Sequence, residues 1–148
     1  MKGSIVRIAK RVGAALTAFG VTLGGLTMAT TTSAQASASQ CKSGQICLYE
    51  VENFSGGIFR VSGGCDLNLG DNHFDNGNPV ADHTSSIINN SGSAVFLYEL
   101  ADPYRKSGYE LGVGAKKSLS NLRSVQVLDY RDGTFKMVNF NDKASAAC

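Results

Sequence analysis

Two histidines of this sequence lie close to carboxylates in a pattern that could support metal binding or proton transfer. His73 and His83 lie in and beside a polar stretch that carries Asp71 and Asp75. Such a set could form a zinc site or an acid–base pair. Loop histidines among Asn and Asp residues are usually solvated, so we interpret all four as surface groups.

Glu50 and Glu99 are a second pair of candidate catalytic groups, because two carboxylates at a suitable separation can hydrolyse a glycosidic bond. Each of them follows a Leu-Tyr dipeptide, however, so a sequence repeat explains their equivalence. The sequence contains neither a Gly-x-Ser-x-Gly nucleophile elbow nor a His-Glu-x-x-His helix. We therefore predict that the protein is not an enzyme.

The repeat is a short unit in which a tyrosine is followed by a second aromatic residue, a glycine and a strand. The first copy contains Tyr49, Phe54, Gly56 and Phe59, and the second contains Tyr98, Tyr104 and Tyr109, with one residue inserted. Lys106 stands at the glycine position of the second copy, and Gly108 is the nearby residue that could take over the bend. The duplication predicts two similar supersecondary motifs.

Short strands are predicted around the repeat, because apolar and polar residues alternate with a period of two and no long stretch has helical periodicity. Arg131-Asp132-Gly133 has the composition of a hairpin turn. Residues 63–79 are rich in Asn, Asp and Gly, which predicts a long loop with little regular structure. The chain is thus predicted to be all-β, with strands at 57–62, 94–100, 107–113, 123–130 and 134–140.

The first 36 residues have the composition of a secretory signal peptide. Four basic residues lie within the first eleven positions, residues 12–28 are uncharged and apolar, and Ala34-Gln35-Ala36 supplies small residues for cleavage. A membrane anchor is the alternative, but the apolar stretch is rich in Gly and Thr and precedes small polar residues. We predict that residues 1–36 are removed and that residues 37–148 are secreted as one domain.

The leader accounts for the apparent basicity of the chain. It holds four of the 14 Lys and Arg residues and none of the 12 Asp and Glu residues, so ten basic and twelve acidic residues leave the domain at −2. The domain lacks the clustered basic residues that nucleic acids require. No second apolar run is long enough to span a membrane. We expect a monomer that binds neither nucleic acid nor membrane.

All four cysteines, Cys41, Cys47, Cys65 and Cys148, follow the leader. An even number in an exported domain predicts disulfides, with three possible pairings. Zinc is disfavoured, because no Cys-x-x-Cys pair is present and neither histidine adjoins a cysteine. We favour Cys41 with Cys47, which closes a short loop, and Cys65 with Cys148, which fixes the C-terminus. Closing the long loop stabilises the fold by about 4 kcal/mol in the entropic model.

The spacing of Tyr49, Phe54 and Gly56 resembles the aromatic-x4-aromatic-x-Gly signature of βγ-crystallin Greek-key motifs. In such a motif the first hairpin folds over its sheet, and the glycine adopts a conformation that other residues disfavour. The resemblance implies two Greek-key motifs of βγ-crystallin type packed as one β-sandwich domain. Motif one would cover about residues 45–90 and motif two about residues 94–128.

Two segments resemble the strands that close these motifs. They are Ser-Ser-Ile-Ile at residues 85–88 and Arg-Ser-Val-Gln-Val at residues 123–127. A further C-terminal strand would lie at about residues 134–140. Sequence similarity of this kind predicts the fold more firmly than the function.

Many βγ-crystallins bind calcium through a six-residue segment of two Asn or Asp, any two residues, Ser or Thr, and Ser. Residues 81–86 fit this pattern except at the first position, so Asp82, Ser85 and Ser86 are candidate ligands of a calcium half-site. Residues 119–124 fit poorly and would place a positive charge beside the ion. The alternative is that Asp82 and Ser85 only hydrogen-bond the turn before a strand, with no cofactor required.

A narrower resemblance is carried by residues 41–49, in which two cysteines five residues apart run into Leu-Tyr, and by residues 82–86. These segments are similar to the Streptomyces metalloproteinase inhibitor family of exported peptidase inhibitors. The resemblance implies a rigid loop that enters an extracellular protease like a substrate. A disulfide in the second motif closes the family's loop, and no cysteine lies between Cys65 and Cys148, so the reactive bond is not carried over.

Two segments are candidates for an inhibitory loop. Residues 63–79 are long and polar, but their composition predicts a high cost of ordering. In the second hairpin, Pro103 adds stiffness, and Tyr104 and Arg105 are residue types that are favoured at interfaces.

Three functions remain open from the sequence. A secreted peptidase inhibitor is favoured by the resemblance and by the disulfide-braced, exported domain. A calcium-binding structural module and an antimicrobial or killer-toxin-like protein are the alternatives. The net charge of −2 argues against a direct attack on anionic membranes.

Overall fold

The computed structural model describes residues 36–101 and 107–148, which form two antiparallel sheets. Within these ranges there are nine strands and four short 3₁₀ turns, and no helix is long and apolar enough to cross a membrane. The predicted all-β class is confirmed. Apart from Ala36, the predicted leader lies outside the described residues. The strands are β1 (Ile46–Val51), β2 (Ser55–Arg60), β3 (Ser86–Asn89), β4 (Val95–Tyr98), β5 (Tyr109–Val113), β6 (Lys117–Leu119), β7 (Val125–Asp129), β8 (Thr134–Val138) and β9 (Ala146–Ala147).

The first sheet has the strand order β2-β1-β3-β6. β1 pairs with β2 on one side and with β3 on the other, so that Leu48 lies opposite both Phe59 and Ile87. β6, which comes from the second half of the chain, pairs with the free side of β3. Three strands of the first motif and one strand of the second motif therefore form this sheet.

The second sheet has the order β8-β7-β5-β4-β9, and its centre repeats the first sheet. β4 pairs with β5 on one side and with β9 on the other. Asp66, from the first half of the chain, forms an antiparallel bridge with Ala147 of β9. Each sheet thus takes one segment from the other half of the chain. Two Greek-key motifs of βγ-crystallin type are packed as one β-sandwich.

The strand that closes the second motif differs from the predicted one. Residues 123–127 resemble the strand that closes the second motif, but β7 pairs with β5 and does not occupy the position beside β4. The closing position belongs to β9, which is only two residues long. β7 and β8 form an additional hairpin on the edge of β5. Its turn is the predicted one: Gly133 has a φ of +71° and donates to the carbonyl of Asp129 at 2.8 Å.

The main core lies between the two sheets and is built from alternate residues of the strands. Burying an aliphatic side chain of this size stabilises the fold by about 1.5–3 kcal/mol. Its fully or almost fully buried members include Leu48, Ile87, Leu97, Leu111 and Val127. A second, smaller cluster covers the outer face of the first sheet, where the N-terminal segment packs on β1 and β2. That outer cluster contains Ala36, Cys41, Cys47, Tyr49 and Ile58.

Two disulfides brace the domain. Cys41 is joined to Cys47, which holds the N-terminal segment against β1. Cys65 is joined to Cys148 across 83 residues and ties the C-terminal residue to the first half of the chain. This is the pairing that the sequence favours, and none of the cysteines is free within the described ranges.

Residues 63–79 are better anchored than their composition predicts. Leu69 and Phe74 are buried in the main core. The Asp75 carboxylate accepts a hydrogen bond from the backbone amide of Ile58 at 3.0 Å. The polar residues that predicted a flexible loop therefore supply bonds that fix the segment to the sandwich.

Candidate functional site

The connection between β1 and β2 folds back over the outer face of the first sheet. Gly56 has a φ of +76°, and a Cβ atom there would lie 2.7 Å from Cγ2 of Val51. Ser86 fixes the same connection, since its hydroxyl donates to the Val51 carbonyl at 2.7 Å and accepts from the Phe54 amide at 3.1 Å. The Phe54 ring then packs edge-on against Tyr49, with centroids 5.7 Å apart.

Glu50 closes the first hairpin through three hydrogen bonds. Its carboxylate accepts from the Gly57 amide at 3.0 Å, from Asn76 at 2.5 Å and from Asn78 at 2.6 Å. Burial raises the pKa of the Glu50 carboxyl, but the three hydrogen bonds outweigh burial and hold the pKa below its ordinary value. Glu50 is therefore an ionised clamp that joins the hairpin to the segment at 76–78.

The second hairpin repeats this clamp with Glu99. The Glu99 carboxylate accepts from the Tyr109 amide at 3.2 Å, and a Lys143 ammonium lies 3.3 Å from its other oxygen. Gly108 precedes Tyr109 and has a φ of +76°, the same value as Gly56. A Cβ atom at Gly108 would lie 3.0 Å from Glu99 Oε2. The predicted replacement of the missing glycine by Gly108 agrees with this geometry.

The alignment of the two copies must be corrected. The equivalence of Gly56 with Gly108 requires three inserted residues in the second copy, rather than one. The ladders agree, because Leu48 lies opposite Phe59 in the first sheet and Leu97 lies opposite Leu111 in the second. Phe59 therefore corresponds to Leu111 and not to Tyr109.

A hydroxyl that fixes the first hairpin has no counterpart under the second. Ser86 lies opposite Tyr49 in the ladder, and Ala146 lies opposite Tyr98 at the equivalent place. Alanine cannot bond a hairpin through its side chain. The described ends of the longer second connection, residues 100–108, are tied by the Glu99 clamp, and Ala146 supplies no hydroxyl at the position that Ser86 occupies under the first hairpin.

Three backbone bonds hold the described ends of this connection. The Glu99 amide donates to the Tyr109 carbonyl at 3.0 Å, the Tyr130 amide donates to the Gly108 carbonyl at 3.0 Å, and the Ser145 amide donates to the Tyr98 carbonyl at 2.8 Å. The candidate loop residues Pro103, Tyr104 and Arg105 lie outside the described residues, and Tyr104 of the repeat signature lies there as well.

Two segments that precede the closing strands are arranged as a reciprocal pair. The Ser145 hydroxyl donates to Asp82 at 3.2 Å, and the Ser85 hydroxyl donates to Asp142 at 3.2 Å. The Asp82 amide donates to the Ala144 carbonyl, and the Asp142 amide donates to the Thr84 carbonyl, each at 3.1 Å. Both aspartates have positive φ, +58° for Asp82 and +55° for Asp142. We call residues 81–86 and 141–146 the paired segments.

The second paired segment was missed by the sequence reasoning. Asn141-Asp142 followed by Ser145 fits the six-residue calcium pattern except at its last position, Ala146. The sequence points to residues 119–124 instead, because they precede the segment that resembles a closing strand. The three predicted ligands do not converge: Asp82 bonds Ser145, Ser85 bonds Asp142, and Ser86 bonds the first hairpin.

A cavity of about 410 Å³ adjoins one half of the pair. It is lined by oxygen-bearing side chains that include Glu50, Ser85, Asn141 and Asp142. The Oδ1 atom of Asn141 is buried and has no hydrogen-bond partner in the described part of the chain. Buried acceptors are normally bonded, so this oxygen is an unused acceptor at the edge of the paired segments. Arg123 on the cavity wall is already paired with Glu52.

The other candidate residues are used by the fold. His83 bonds the Ala81 carbonyl at 2.8 Å, and His73 forms a β-bridge with Pro79. Asp71 accepts from its neighbour Asn72. No group of three or more His, Cys, Asp or Glu residues that could hold a metal is found within residues 36–101 and 107–148. Glu50 and Glu99 lie in equivalent hairpins of separate sheets, where each bonds a backbone amide of its own hairpin.

The sequence of the domain matches a known family of inhibitors. Residues 34–110 match the family model described as peptidase inhibitor family I36. The chain belongs to this family. The match covers the first motif and extends through the second hairpin to Glu110, so it includes both glutamate clamps. Membership of family I36 supports a role as a protease inhibitor rather than as an enzyme.

The I36 domain is also similar to two solved structures. One, from work on the evolution of the eye-lens βγ-crystallin domain fold, is 18% identical with a TM-score of 0.47, covering 71% of this chain and 83% of that chain. The other is a βγ-crystallin from an archaeon, 18% identical with a TM-score of 0.45, covering 72% of this chain and 96% of that chain. No curated protein matches the chain.

Proposed function

We propose that this I36 domain is secreted and inhibits an extracellular protease, and that it presents the connection at residues 100–108 to the protease cleft. Family membership supports the inhibitory role. The observation that supports the choice of segment is the Glu99 clamp, which fixes both ends of the connection to adjacent strands. A segment with fixed ends loses less conformational freedom on binding, and inhibitors gain affinity from such preorganisation.

The other two connections are less suited to this role. The first hairpin folds over its own sheet and is bonded there by Ser86. Residues 63–79 direct two side chains into the first clamp, where Asn76 and Asn78 bond Glu50. The connection at 100–108 is three residues longer than the first hairpin and carries Pro103, Tyr104 and Arg105, of which the last two are residue types favoured in interface hot spots.

Titration of two proteases with the disulfide-intact secreted protein tests the proposal. A thermolysin-like metalloprotease and a subtilisin-like serine protease represent two mechanistic classes. We expect inhibition of at least one of them with a Ki in the micromolar range or below, on the order of −8 kcal/mol. Replacing Pro103, Tyr104 and Arg105 together by alanine should abolish it. A variant with Lys117 and Ser118 replaced by alanine in exposed β6 is the matched control.

Loss of inhibition in both variants would show that inhibition does not depend specifically on the connection at 100–108. Absence of inhibition by the unaltered protein against both proteases would contradict the inhibitory role itself. The third function left open by the sequence, an antimicrobial or toxin-like activity, is favoured by no particular feature of the described residues.

We further propose calcium binding as a second function, because a specific arrangement favours it. Each half of the paired segments places an aspartate oxygen beside a serine hydroxyl from the other motif. Calcium binds oxygen ligands of this kind, both from side chains and from backbone carbonyls. Asp142, Ser85 and Asn141 line the cavity and would hold the ion there, and Asn141 Oδ1 is an acceptor without a partner among the described groups.

Thermal unfolding tests this second function. Binding to the native state must raise the melting temperature, by an amount that follows from the ratio of free calcium to the dissociation constant. We expect millimolar calcium to raise the melting temperature relative to EDTA, and Asp142→Ala to remove the effect. Asp71→Ala, which alters an exposed carboxylate elsewhere, should leave the effect intact. An unchanged melting temperature for the unaltered protein would contradict calcium binding.

A further inference from the structure

The outer faces of the two sheets differ in how far other parts of the chain cover them. On the first sheet, the N-terminal segment and Phe54 cover this face, so that Tyr49 and Ile58 are buried there. On the second sheet, the equivalent face carries exposed apolar side chains in the described residues. Phe96 of β4 is 37% exposed, although its counterpart in the first sheet, Cys47, is fully buried.

The added hairpin extends this uncovered face. In β8, Phe135 is 69% exposed and Met137 is 64% exposed, and they are the two most exposed large apolar side chains described. Phe135 lies opposite Leu128 of β7, and Leu128 in turn lies opposite Glu110 of β5. We call Phe96, Leu128, Phe135 and Met137 the apolar strip.

The strip carries little charge. Glu110 is the charged residue that the ladder places within the strip, and it accepts a hydrogen bond from the Tyr130 hydroxyl at 2.5 Å. That bond raises the pKa of Tyr130 to about 12, so its hydroxyl keeps the proton that it donates. Phe96, Phe135 and Met137 are exposed and Leu128 is half-buried. Exposed apolar side chains on one sheet face, beside a carboxylate that is already bonded, are typical of a surface that a partner covers.

The strip is continuous with the proposed inhibitory segment. The Tyr130 amide at the start of the β7–β8 turn donates to the Gly108 carbonyl, which ends that segment. The Arg131 guanidinium stacks on the Tyr109 ring at 4.5 Å from its centroid and is held by Asp129 at 2.7 Å. The hydrogen bond and the stacking contact fix the β7–β8 hairpin beside the end of the connection at 100–108.

We propose that the apolar strip is a second contact surface for the protease that the connection at 100–108 engages, and that it docks on an apolar surface beside the protease cleft. Phe135 and Met137 are its anchors. Among the described strands β8 is an edge strand that pairs with β7 alone, so it offers backbone donors and acceptors along the same contact. This inference depends on the proposed inhibitory function.

Inhibition constants and melting temperatures measured on the disulfide-intact protein test the inference. The double variant Phe135→Ala with Met137→Ala should raise the Ki for the inhibited protease by roughly tenfold or more, because buried aromatic anchors dominate interface energies. Its melting temperature should stay within about 2 °C, because both side chains are largely exposed. Leu67→Ala is the matched control, since Leu67 is 38% exposed beside the bridge to β9, at the opposite edge of the same sheet.

The outcomes separate the two proposals. Full inhibition by the double variant, with normal inhibition by the unaltered protein, would overturn the second contact and leave the inhibitory function in place. No inhibition by the unaltered protein would overturn both. Sedimentation showing that the unaltered protein forms dimers that the double variant cannot form would also overturn the inference, because a second copy would then cover the strip.

Discussion

Gly108 lies at the end of the proposed inhibitory connection and beside the Glu99 clamp. Substitution of Gly108 by alanine should therefore change both the stability of the second hairpin and the inhibition of the protease. Its φ is +76°, a region in which side chains with a Cβ atom are strained. A Cβ atom would also lie 3.0 Å from Glu99 Oε2 and 3.4 Å from Leu100 Cγ. Gly108→Ala should therefore strain the backbone and displace the Glu99 carboxylate from the Tyr109 amide.

The free-energy costs of the backbone strain and of the displaced carboxylate can be estimated separately. Placing alanine in the left-handed region costs about 1–2 kcal/mol, and losing one hydrogen bond of the Glu99 clamp costs about 1 kcal/mol more. Gly63 has a similar φ of +66° with open space around it, so Gly63→Ala should carry only the backbone cost. At about 4 °C per kcal/mol for a domain of this size, the melting temperature should fall by about 10 °C for Gly108→Ala and about 5 °C for Gly63→Ala.

Differential scanning calorimetry measures the difference in melting temperature between the two variants. Protease inhibition assays measure the difference in their Ki values. Loss of the clamp frees one end of the connection at 100–108, so Gly108→Ala should raise the Ki about tenfold while Gly63→Ala leaves it unchanged. Equal melting temperatures and equal Ki values for the two variants would refute the clamp as an element that positions the segment.

Three further predictions follow from the same structure. Ser86→Ala removes two hydrogen bonds of the first hairpin and should lower the free energy of unfolding by about 2 kcal/mol in urea titrations; an unchanged value would show that the hydroxyl is dispensable. The pKa of Glu50 and that of Asp129 are held below their ordinary values of 4.5 and 3.8, so their stabilisation is complete above about pH 5 and is lost as pH falls through the lower native pKa values. The melting temperature should be level from pH 7 to about pH 5 and should fall below about pH 4. The fall should be less steep in Glu50→Gln. An equally steep fall in that variant would contradict the role of Glu50 as an ionised clamp. Cys148→Ser should cost about 4 kcal/mol, because it opens a loop of 83 residues, and a loss below about 1 kcal/mol would contradict a structural role for this bond.

Local features of the fold could be predicted from the sequence. The Tyr49, Phe54 and Gly56 unit lies within eight residues, so its hairpin is encoded by neighbouring side chains. The predicted strands at 94–100, 107–113 and 134–140 each contain an observed strand, because alternation reports which residues face a core.

Pairing between distant segments could not be predicted in the same way. The pattern of residues 123–130 correctly indicates a strand, but a periodicity contains no information about which neighbour a strand joins. β9 has two alanines and no alternation, so the sequence gives no local reason to place it beside β4. The paired segment at 141–146 was missed for the same reason, since its role follows from the position of β9.

Composition correctly predicted little regular structure at 63–79, where the chain forms only short 3₁₀ turns and isolated bridges, but it did not predict how firmly the segment is anchored. Asn, Asp and Gly residues are frequent in mobile loops. In the folded protein, Asn76 and Asn78 bond Glu50, and Asp75 bonds a strand amide. The same residue types stabilise a loop when a partner carboxylate or amide is within reach, and only the tertiary structure shows that partner.

The most direct test of the inhibitory account is to locate the bond that the protease attacks. A substrate-like inhibitor is held in the cleft and is cut slowly, at a single bond in the segment that it presents. Mass spectrometry of the disulfide-intact protein, incubated with the protease that it inhibits, should show one slow cut within residues 100–108. An initial cut within residues 63–79, or rapid cleavage at many bonds without inhibition, would contradict the account.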